Sequence, residues 1–162
     1  MKRAYLSLGS NLGDRLDRLK QAIDGLAAAG IRVRRVSSYY KTEPVDFLPQ
    51  AWFLNCVAEV ETDLMPLRLL RACQAVERAA GRRPGVAKGP RPIDIDILLY
   101  ENALIRSREL VVPHERLPER RFVLVPLHEL APDVRHPDLD RTVQEMLHDT
   151  PDRSRVIRLH HE

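Results

Sequence analysis

Two carboxylates in the stretch PIDIDILL have the types and the spacing that could do chemistry. Ile93, Ile95 and Ile97 alternate with Asp94 and Asp96. A strand here would bury the isoleucines on one face and hold both carboxylates on the other, with their Cα atoms about 6.6 Å apart. Parallel carboxylates suit Mg²⁺, and two such ions can clamp a transferring phosphoryl group. The alternative is a solvated sheet face on which aspartate happens to recur.

A cationic stretch directly before these aspartates favours the metal interpretation. The sequence GRRPGVAKGPR, residues 81–91, contains four cations and no anion: Arg82, Arg83, Lys88 and Arg91. Aspartate is disfavoured in strands, so a pair of aspartates beside these cations costs local propensity unless something is bound. Arginine also grips phosphate with a planar fork of donors. Together they indicate an anionic, metal-bound ligand, such as a nucleoside triphosphate with Mg²⁺.

The common phosphate-binding loops are not present. GSNLGD, residues 9–14, has two glycines between a predicted strand and a predicted helix, but it lacks the Lys and Ser/Thr pair of a P-loop and the spacing of GxGxxG. The simpler interpretation is a strand-to-helix turn in which Gly9 and Gly13 permit a tight bend.

Two further pairs could bind ligands, and each also has a plain structural explanation. Gln74 and Glu77 are three residues apart on a predicted helix, on a face opposite its apolar stripe, where solvated side chains are common. Phe53 and Asn55 alternate onto one strand face and would suit a flat, hydrogen-bonding heterocycle. When this pair is considered alone, core packing is the more common explanation for Phe53. His114 lies in a proline-rich segment, where loops commonly carry binding groups.

The elements that must position these residues follow an α+β order. Apolar periodicity predicts strands over 3–8, 31–40, 53–61 and 93–100, and helices over 12–30 and 66–81, the first capped by Ser10 or Asn11. The order strand, helix, strand, strand, helix, strand predicts a ferredoxin-like antiparallel sheet with helices on one face. Prolines break up the last third, which we expect to be a C-terminal appendage with a helix over 142–147.

Length and composition limit the classes of protein. The chain has 162 residues, 44% hydrophobic and 30% charged, which predicts one domain over 1–162 and excludes disorder. The net charge of +3 is too near balance for a nucleic-acid arm or a polybasic membrane anchor. Because we find no apolar run of about 20 residues and no signal peptide, we expect a cytoplasmic protein that binds neither nucleic acid nor membrane. Cys56 and Cys73 are expected to be reduced core residues.

Six segments, in this order and spacing, resemble the 6-hydroxymethyl-7,8-dihydropterin pyrophosphokinase family: YLSLGSNLGDR, SSYYKTEPV, FLNCV, GPRPIDIDILL, VVPH and FVLVPL. The resemblance runs from residue 5 to about residue 137, and GPRPIDIDILL is its most specific part. It implies the ferredoxin-like core and a folate-pathway enzyme that moves the terminal diphosphate of ATP onto the pterin hydroxymethyl group, releasing AMP.

The resemblance also implies a role for particular residues. Asp94 and Asp96 would be ligands of two Mg²⁺ ions, and Arg82 and Arg91 would join them as catalytic residues. Pterin would be bound by Thr42, Val45, Phe53, Asn55 and Phe122. ATP would be bound by Gln74, Glu77, Arg91, His114 and Arg120. Glu109 stands where some members of the family have a basic residue near the nucleotide. We expect the enzyme to be a monomer.

Two other classes of protein account for part of the pattern. A small metal-dependent phosphohydrolase would use the same aspartate pair, but it would leave Phe53 and Asn55 without a purpose. An RNA-binding module would use a ferredoxin-like sheet with exposed aromatic residues. Its sheet face should be basic, whereas Asp94 and Asp96 would repel phosphate in the absence of metal.

Overall fold

Strands and helices follow one another in the order that the sequence predicts. The structure is a computed structural model that describes residues 1–44, 51–81 and 92–160. Its first two thirds contain β1 (Lys2–Ser10), α1 (Arg15–Ala28), β2 (Arg32–Val36), β3 (Tyr40–Thr42), β4 (Phe53–Thr62), α2 (Pro66–Ala79) and β5 (Asp94–Tyr100). The last third contains β6 (Ile105–Arg106), β7 (Val111–Val112), a 3-10 turn (Leu117–Glu119), α3 (Arg121–Leu130), β8 (Arg135–His136), β9 (Arg141–Thr142), α4 (Val143–Asp149) and β10 (Val156–Arg158).

The main sheet is antiparallel, with strand order β10-β3-β4-β1-β5, and β2 also pairs with β4. Within it, the order β2-β4-β1-β5 is that of a ferredoxin-like sheet, so the predicted fold class is confirmed. The single strand predicted over 31–40 is wrong, because β2 and β3 pair with different halves of β4. Between them, the hydroxyl oxygen of Ser37 accepts the Val57 N–H at 2.9 Å, and this side-chain bond interrupts the strand.

The first face of the sheet carries the larger apolar core. Leu6, Leu8, Cys56 and Ile95 are at most 5% exposed and pack with α1 and α2. Cys56 and Cys73 are free and buried, and burial raises the pKa of each thiol to about 12. Both cysteines are therefore inert core residues, as the sequence predicts.

Helix α1 begins later than the sequence indicates. Its cap is Asp14, whose Oδ1 accepts the Asp17 N–H at 3.1 Å, so the prediction of Ser10 or Asn11 as cap is wrong. The reason is that β1 continues through Ser10, so the chain must turn over the next four residues. Gly13 makes that turn with φ +71°, whereas Gly9 lies inside the strand.

The last third of the chain covers part of the second face of the sheet. Helices α3 and α4 of this last third pack there on Tyr5, Val57 and Leu99, whereas the two helices of the ferredoxin-like core pack on the first face, as predicted. A register shift in the β1–β5 pairing turns both Leu98 and Leu99 towards this second core, which interrupts the predicted alternation of β5. The helix predicted over 142–147 is α4, and Thr142 caps it in a capping box with Glu145.

Helix α3 is tied to the sheet edge by its own last turn. The carboxylate of Glu129 accepts the Ser38 N–H at 3.0 Å and the Tyr40 hydroxyl at 2.6 Å. Arg35 of β2 donates to the Leu130 carbonyl at 2.8 Å. Because both contacts lie at the junction of β2 and β3, they fix the last turn of α3 on the second face.

In the described ranges of the chain, no helix combines the length and the apolar character that a membrane span requires.

Candidate active site

One end of the second sheet face is built around a residue with no side chain. Gly9 of β1 pairs with Asn55 of β4 on one side and with Asp94 of β5 on the other. A Cβ atom on Gly9 would lie 2.3 Å from Asn55 Oδ1, so only glycine allows the amide to lie over β1. Two strand spacings separate the backbones of Asn55 and Asp94, which is about 10 Å.

Asn55 is a buried amide with a defined orientation. Its Nδ2 donates to Thr42 Oγ1 at 2.5 Å, and the two residues are 3% and 1% exposed. Because Oγ1 of Thr42 accepts, Nδ2 faces β3 and Oδ1 faces Gly9. A primary amide has two N–H donors and a carbonyl oxygen, so this arrangement can pair with both donors and acceptors of a polar ring.

Two aromatic side chains from different elements are candidates to contact a ligand bound to this amide. Phe53 is half-buried on β4, two residues before Asn55 and on the same face, and its Cδ2 lies 3.5 Å from where a Gly9 Cβ would be. Phe122 is the second residue of α3 and packs against the second core. The guanidinium carbon of Arg120 lies 5.5 Å from the centre of the Phe122 ring. The site therefore offers apolar faces beside a polar amide.

The two aspartates lie as the sequence predicts. Ile93, Ile95 and Ile97 are buried in the first core, while Asp94 and Asp96 are half-buried on the second face. Within the described ranges, no group of three or more His, Cys, Asp or Glu side chains is arranged to hold a metal ion. A pair of carboxylates alone leaves most positions of a six-coordinate ion for water and phosphate oxygens. This donor set is typical of Mg²⁺ sites in phosphoryl-transfer proteins, so the residues fit the ion.

His114 lies beside the aspartates as a neutral ring. Its Nε2 is 3.9 Å from Asp96 Oδ2, and its Nδ1 accepts the Arg116 N–H at 3.2 Å. Burial, together with the positive charge of Arg120, lowers the pKa of His114 to about 4. The neutral ring then carries its proton on Nε2, on the side of Asp96. His114 can therefore donate a hydrogen bond there without adding charge.

Arg120 brings an unmatched donor to the same region. Its Nε is buried, and the described part of the chain provides it with no hydrogen-bond partner. Leaving such a donor without an acceptor costs about 1–3 kcal/mol, which a bound anion would recover. Arg120 is therefore a candidate to bind a ligand oxygen.

Gln74 and Glu77, the two residues predicted on α2, are not on the solvated helix face that the sequence indicates. Glu77 is 8% exposed, and its Oε2 accepts the Ile95 N–H at 2.7 Å. It therefore supports the outer edge of β5 from the buried side of α2, and the interpretation of a solvated face opposite the apolar stripe is wrong for it. Gln74 is half-buried one turn earlier. Glu109 forms an ion pair with Arg71 of α2, so this acidic residue is matched by a cation from the helix.

The predicted site residues thus form three groups: those on or beside the second face, the pair Gln74 and Glu77 on α2 behind β5, and those that the structure does not describe. Thr42, Asn55 and Asp94 lie on the second face with Phe53 and Asp96. Val45, Arg82 and Arg91 lie outside the described residues, as does nearly all of the cationic stretch at 81–91. Sequence reasoning assigned Gly9 to a bend and missed its role under Asn55. The signal was present, since a glycine inside a strand often marks a close approach.

Comparisons with known proteins give a consistent family. The model of the 7,8-dihydro-6-hydroxymethylpterin-pyrophosphokinase (HPPK) family matches residues 5–132. The 2-amino-4-hydroxy-6-hydroxymethyldihydropteridine pyrophosphokinase of Methylorubrum extorquens is 49% identical over 83% of this chain and 85% of its own. The protein of the same name from Bacillus subtilis is 46% identical over 81% of this chain and 79% of its own.

Some relatives are much longer than this chain. The folic acid synthesis protein fol1 of Schizosaccharomyces pombe is 47% identical over 98% of this chain, which spans only 22% of that protein.

Solved structures of HPPK-DHPS proteins share the fold. One in complex with substrates superimposes with a TM-score of 0.71 at 13% identity, covering 91% of this chain and 43% of its own. The wild-type protein of Plasmodium falciparum gives 0.69 at 15% identity, covering 91% and 43%.

Substitution Gly9→Ala tests the close approach of Asn55 to β1. The new methyl group would overlap Asn55 Oδ1, so the amide must leave its position and release Thr42. We expect the side-chain amide resonances of Asn55 to shift in NMR spectra and the free energy of unfolding to fall by about 1–3 kcal/mol.

The matched control is Gly25→Ala in α1. Its new methyl group would lie 3.3 Å from Val76 Cγ1, away from the sheet face that carries Asn55. Those resonances should stay in place in the control. Unshifted Asn55 resonances in Gly9→Ala would show that the amide does not depend on the missing side chain.

Proposed function

Because the chain belongs to the 7,8-dihydro-6-hydroxymethylpterin-pyrophosphokinase family, we propose that it transfers the terminal diphosphate of ATP to the hydroxymethyl group of 6-hydroxymethyl-7,8-dihydropterin and releases AMP. The observation that carries the proposal is the arrangement around Gly9. A buried amide for a polar ring lies on one side of it and a pair of carboxylates for metal-bound phosphate on the other.

The pterin subsite consists of residues on both sides of the Asn55 amide. Asn55 hydrogen-bonds the ring, and Thr42 supports its orientation through the 2.5 Å bond. Phe53 and Phe122 offer their faces to the flat heterocycle, for which offset stacking is favourable. The full set is Thr42, Val45, Phe53, Asn55 and Phe122.

The ATP subsite lies on the side of β5. The buried Nε of Arg120 and the neutral His114 ring supply donors for phosphate oxygens. Glu77 acts on this subsite through β5, since it holds the Ile95 N–H between the two aspartates. The full set is Gln74, Glu77, Arg91, His114 and Arg120.

Asp94 and Asp96 are the residues that would hold Mg²⁺, and we propose two ions. When bound, these ions neutralise phosphate charge and orient the transferring group. Half-burial of both carboxylates suits this role, because it limits water access while leaving each oxygen within reach of a ligand.

Alignment and charge neutralisation account for the reaction without a covalent enzyme intermediate. The pterin hydroxyl oxygen attacks the β-phosphorus of ATP and forms a new O–P bond, the bond to the bridging oxygen breaks so that AMP leaves with its electron pair, and the hydroxyl proton is released to water. Such transfer depends on positioning and electrostatic stabilisation. Asn55 and the two phenylalanines fix the attacking group, while Arg82, Arg91 and Arg120 stabilise the charge on the phosphates. Both cysteines are buried and high in pKa, in keeping with a reaction that needs no thiol nucleophile.

Two finer features belong to the same proposal. We expect the enzyme to act as a monomer, because both subsites are formed by a single chain. We place it in the cytoplasm, where buried free cysteines such as Cys56 and Cys73 stay reduced.

The phosphohydrolase alternative has no support, since the relatives of similar length have the names of pyrophosphokinases.

The identity of the nucleotide product tests the proposed function. The chain is incubated with ATP, Mg²⁺ and 6-hydroxymethyl-7,8-dihydropterin, and the nucleotides are separated by chromatography. We expect AMP to accumulate in a one-to-one ratio with pterin diphosphate, and only when the pterin is present. Formation of ADP, or of free phosphate without pterin, would contradict a diphosphate transfer.

Substitution of either aspartate tests the metal ligands. Asp94→Ala and Asp96→Ala should each lower the rate of AMP formation by several orders of magnitude at saturating Mg²⁺. Both side chains leave the apolar face, so thermal unfolding should show an intact fold. Asp138→Ala, which removes an exposed carboxylate paired with Arg106, is the matched control and should keep full activity. Near-normal turnover in either Asp94→Ala or Asp96→Ala would exclude the assignment.

Asn55→Ala tests the division into two subsites. Removing the amide leaves polar groups of the ring without partners, at a cost of about 1–3 kcal/mol in pterin binding. ATP binding should change little, because the amide lies on the other side of β1 from Asp94. Calorimetry with each ligand separately measures both values. Equal losses for the two ligands would indicate a general disturbance of the fold instead of a pterin contact.

A further inference from the structure

The segment after α4 supplies the N-terminal cap of α3 from a distance. The residue before that helix, Arg120, makes no side-chain cap bond. Instead, Asp152 Oδ2 accepts the Arg121 N–H at 2.8 Å, and Asp152 Oδ1 accepts the Ser154 N–H at 2.9 Å. A carboxylate at this point satisfies an orphan donor of the first turn and opposes the positive end of the helix dipole. Phe122 follows Arg121 directly, so Asp152 holds the turn that carries this aromatic ring.

The same segment continues as the strand β10, which covers the outer edge of β3. Val156 pairs with Thr42, and Arg158 pairs with Tyr40. Beyond the strand, the Leu159 N–H donates to the Tyr39 carbonyl at 2.8 Å, and the Glu43 N–H donates to the Arg155 carbonyl at 3.2 Å. Thr42, which orients the Asn55 amide, therefore has β10 on one side and β4 on the other.

The side chain of Arg155 adds a contact next to Phe53. Its guanidinium carbon lies 5.3 Å from the centre of the Trp52 ring, a distance at which a cation is attracted to the aromatic face. The carbonyl of Trp52 accepts from Arg15 Nη1 at 2.7 Å, which holds the same residue from the side of α1. Trp52 precedes Phe53 in the chain, so residues 152–158 contact α3, which carries Phe122, and the residue next to Phe53.

We propose that Asp152 is a positioning residue for the pterin subsite, because it joins the start of α3, with Phe122, to the β10–β3 edge, with Thr42. The inference rests on the proposed function. The hydrogen bonds from Ser154 and Arg121 outweigh the effect of burial and lower the pKa of Asp152, so the carboxylate is charged at neutral pH. The segment lies beyond the residues 5–132 that match the family model, which therefore assigns it no role.

The pterin subsite should respond to Asp152 more strongly than the ATP subsite. Arg120 has a separate anchor, since its N–H donates to the Leu117 carbonyl at 3.4 Å in the preceding 3-10 turn. Asp94 and Asp96 lie on β5, at the opposite edge of the sheet from β10. Phe122 and Thr42, by contrast, each belong to an element that the 152–158 segment contacts directly.

The test compares Asp152→Ala with Asp152→Asn, which keeps one oxygen acceptor, and with Asp138→Ala as the control from an exposed ion pair. Loss of a helix cap corresponds to about a fivefold to tenfold change in an equilibrium constant. We expect Asp152→Ala to raise the KM and the Kd for 6-hydroxymethyl-7,8-dihydropterin by that factor. The KM for ATP should stay within about twofold, and Asp152→Asn should fall between wild type and Asp152→Ala.

A double-mutant cycle separates positioning from general destabilisation. If Asp152 acts through Phe122, then Asp152→Ala should change pterin affinity much less in a Phe122→Ala background than in the wild type. Equal effects in both backgrounds, or equal losses of ATP and pterin affinity, would overturn the inference. Should Asp152→Ala fail to fold, Asp152→Asn and its cycle with Phe122→Ala give the same decision.

The outcomes also separate this inference from the proposed function. A wild-type chain that forms AMP and a variant Asp152→Ala with unchanged pterin affinity would reject only the positioning role. A wild-type chain that binds no pterin would reject both.

Discussion

The site depends on the absence of a side chain at one position of the central strand. β1 lies between β4 and β5, so any side chain on its second face at Gly9 would stand between Asn55 and Asp94. The 2.3 Å approach of Asn55 Oδ1 leaves no room for a Cβ atom there. A buried amide and a carboxylate can thus lie on one sheet face, about two strand spacings apart, with flat backbone between them. Glycine costs strand stability, and that cost is accepted where a ligand must approach the backbone closely.

The two faces of the sheet differ in what they carry: the first face holds the larger apolar core, and the second face holds the polar residues of the candidate site. The first face is closed by α1 and α2 over leucine, isoleucine and cysteine side chains that are almost completely buried. Among the described residues, α3 and α4 pack on the second face, and Glu129 and Arg35 tie α3 to the edge strands. The rigid strands carry Asn55, Asp94 and Asp96 on the same face. A site on strands holds its groups more precisely than a site on loops.

Periodicity predicted the core of the fold and the aspartate pair, because both depend on the local alternation of one strand. The isoleucines at 93, 95 and 97 could point only one way once residues 93–100 were a strand. Sequence reasoning failed where a long-range contact decides the structure. The break between β2 and β3 depends on a hydroxyl that bonds Val57, twenty residues away, and the cap of α3 comes from Asp152, thirty-one residues along the chain. No local sequence pattern contains such information. The packing of α3 and α4 on the second face also depends on long-range contacts that no local pattern shows.

His114 and Arg120 set the electrostatics around the aspartates of the second face. Arg120 keeps a buried Nε without a described acceptor, and its charge helps to keep the neighbouring His114 ring neutral. A protonated histidine beside the aspartates would compete with a metal ion for their charge, whereas a neutral ring donates a hydrogen bond and leaves that charge available. The unsatisfied donor is a local loss of stability, since burial of such a group costs about 1–3 kcal/mol. An anion that accepts from Arg120 would recover this loss, so the group that lowers the stability of the protein would also raise its affinity for the anion.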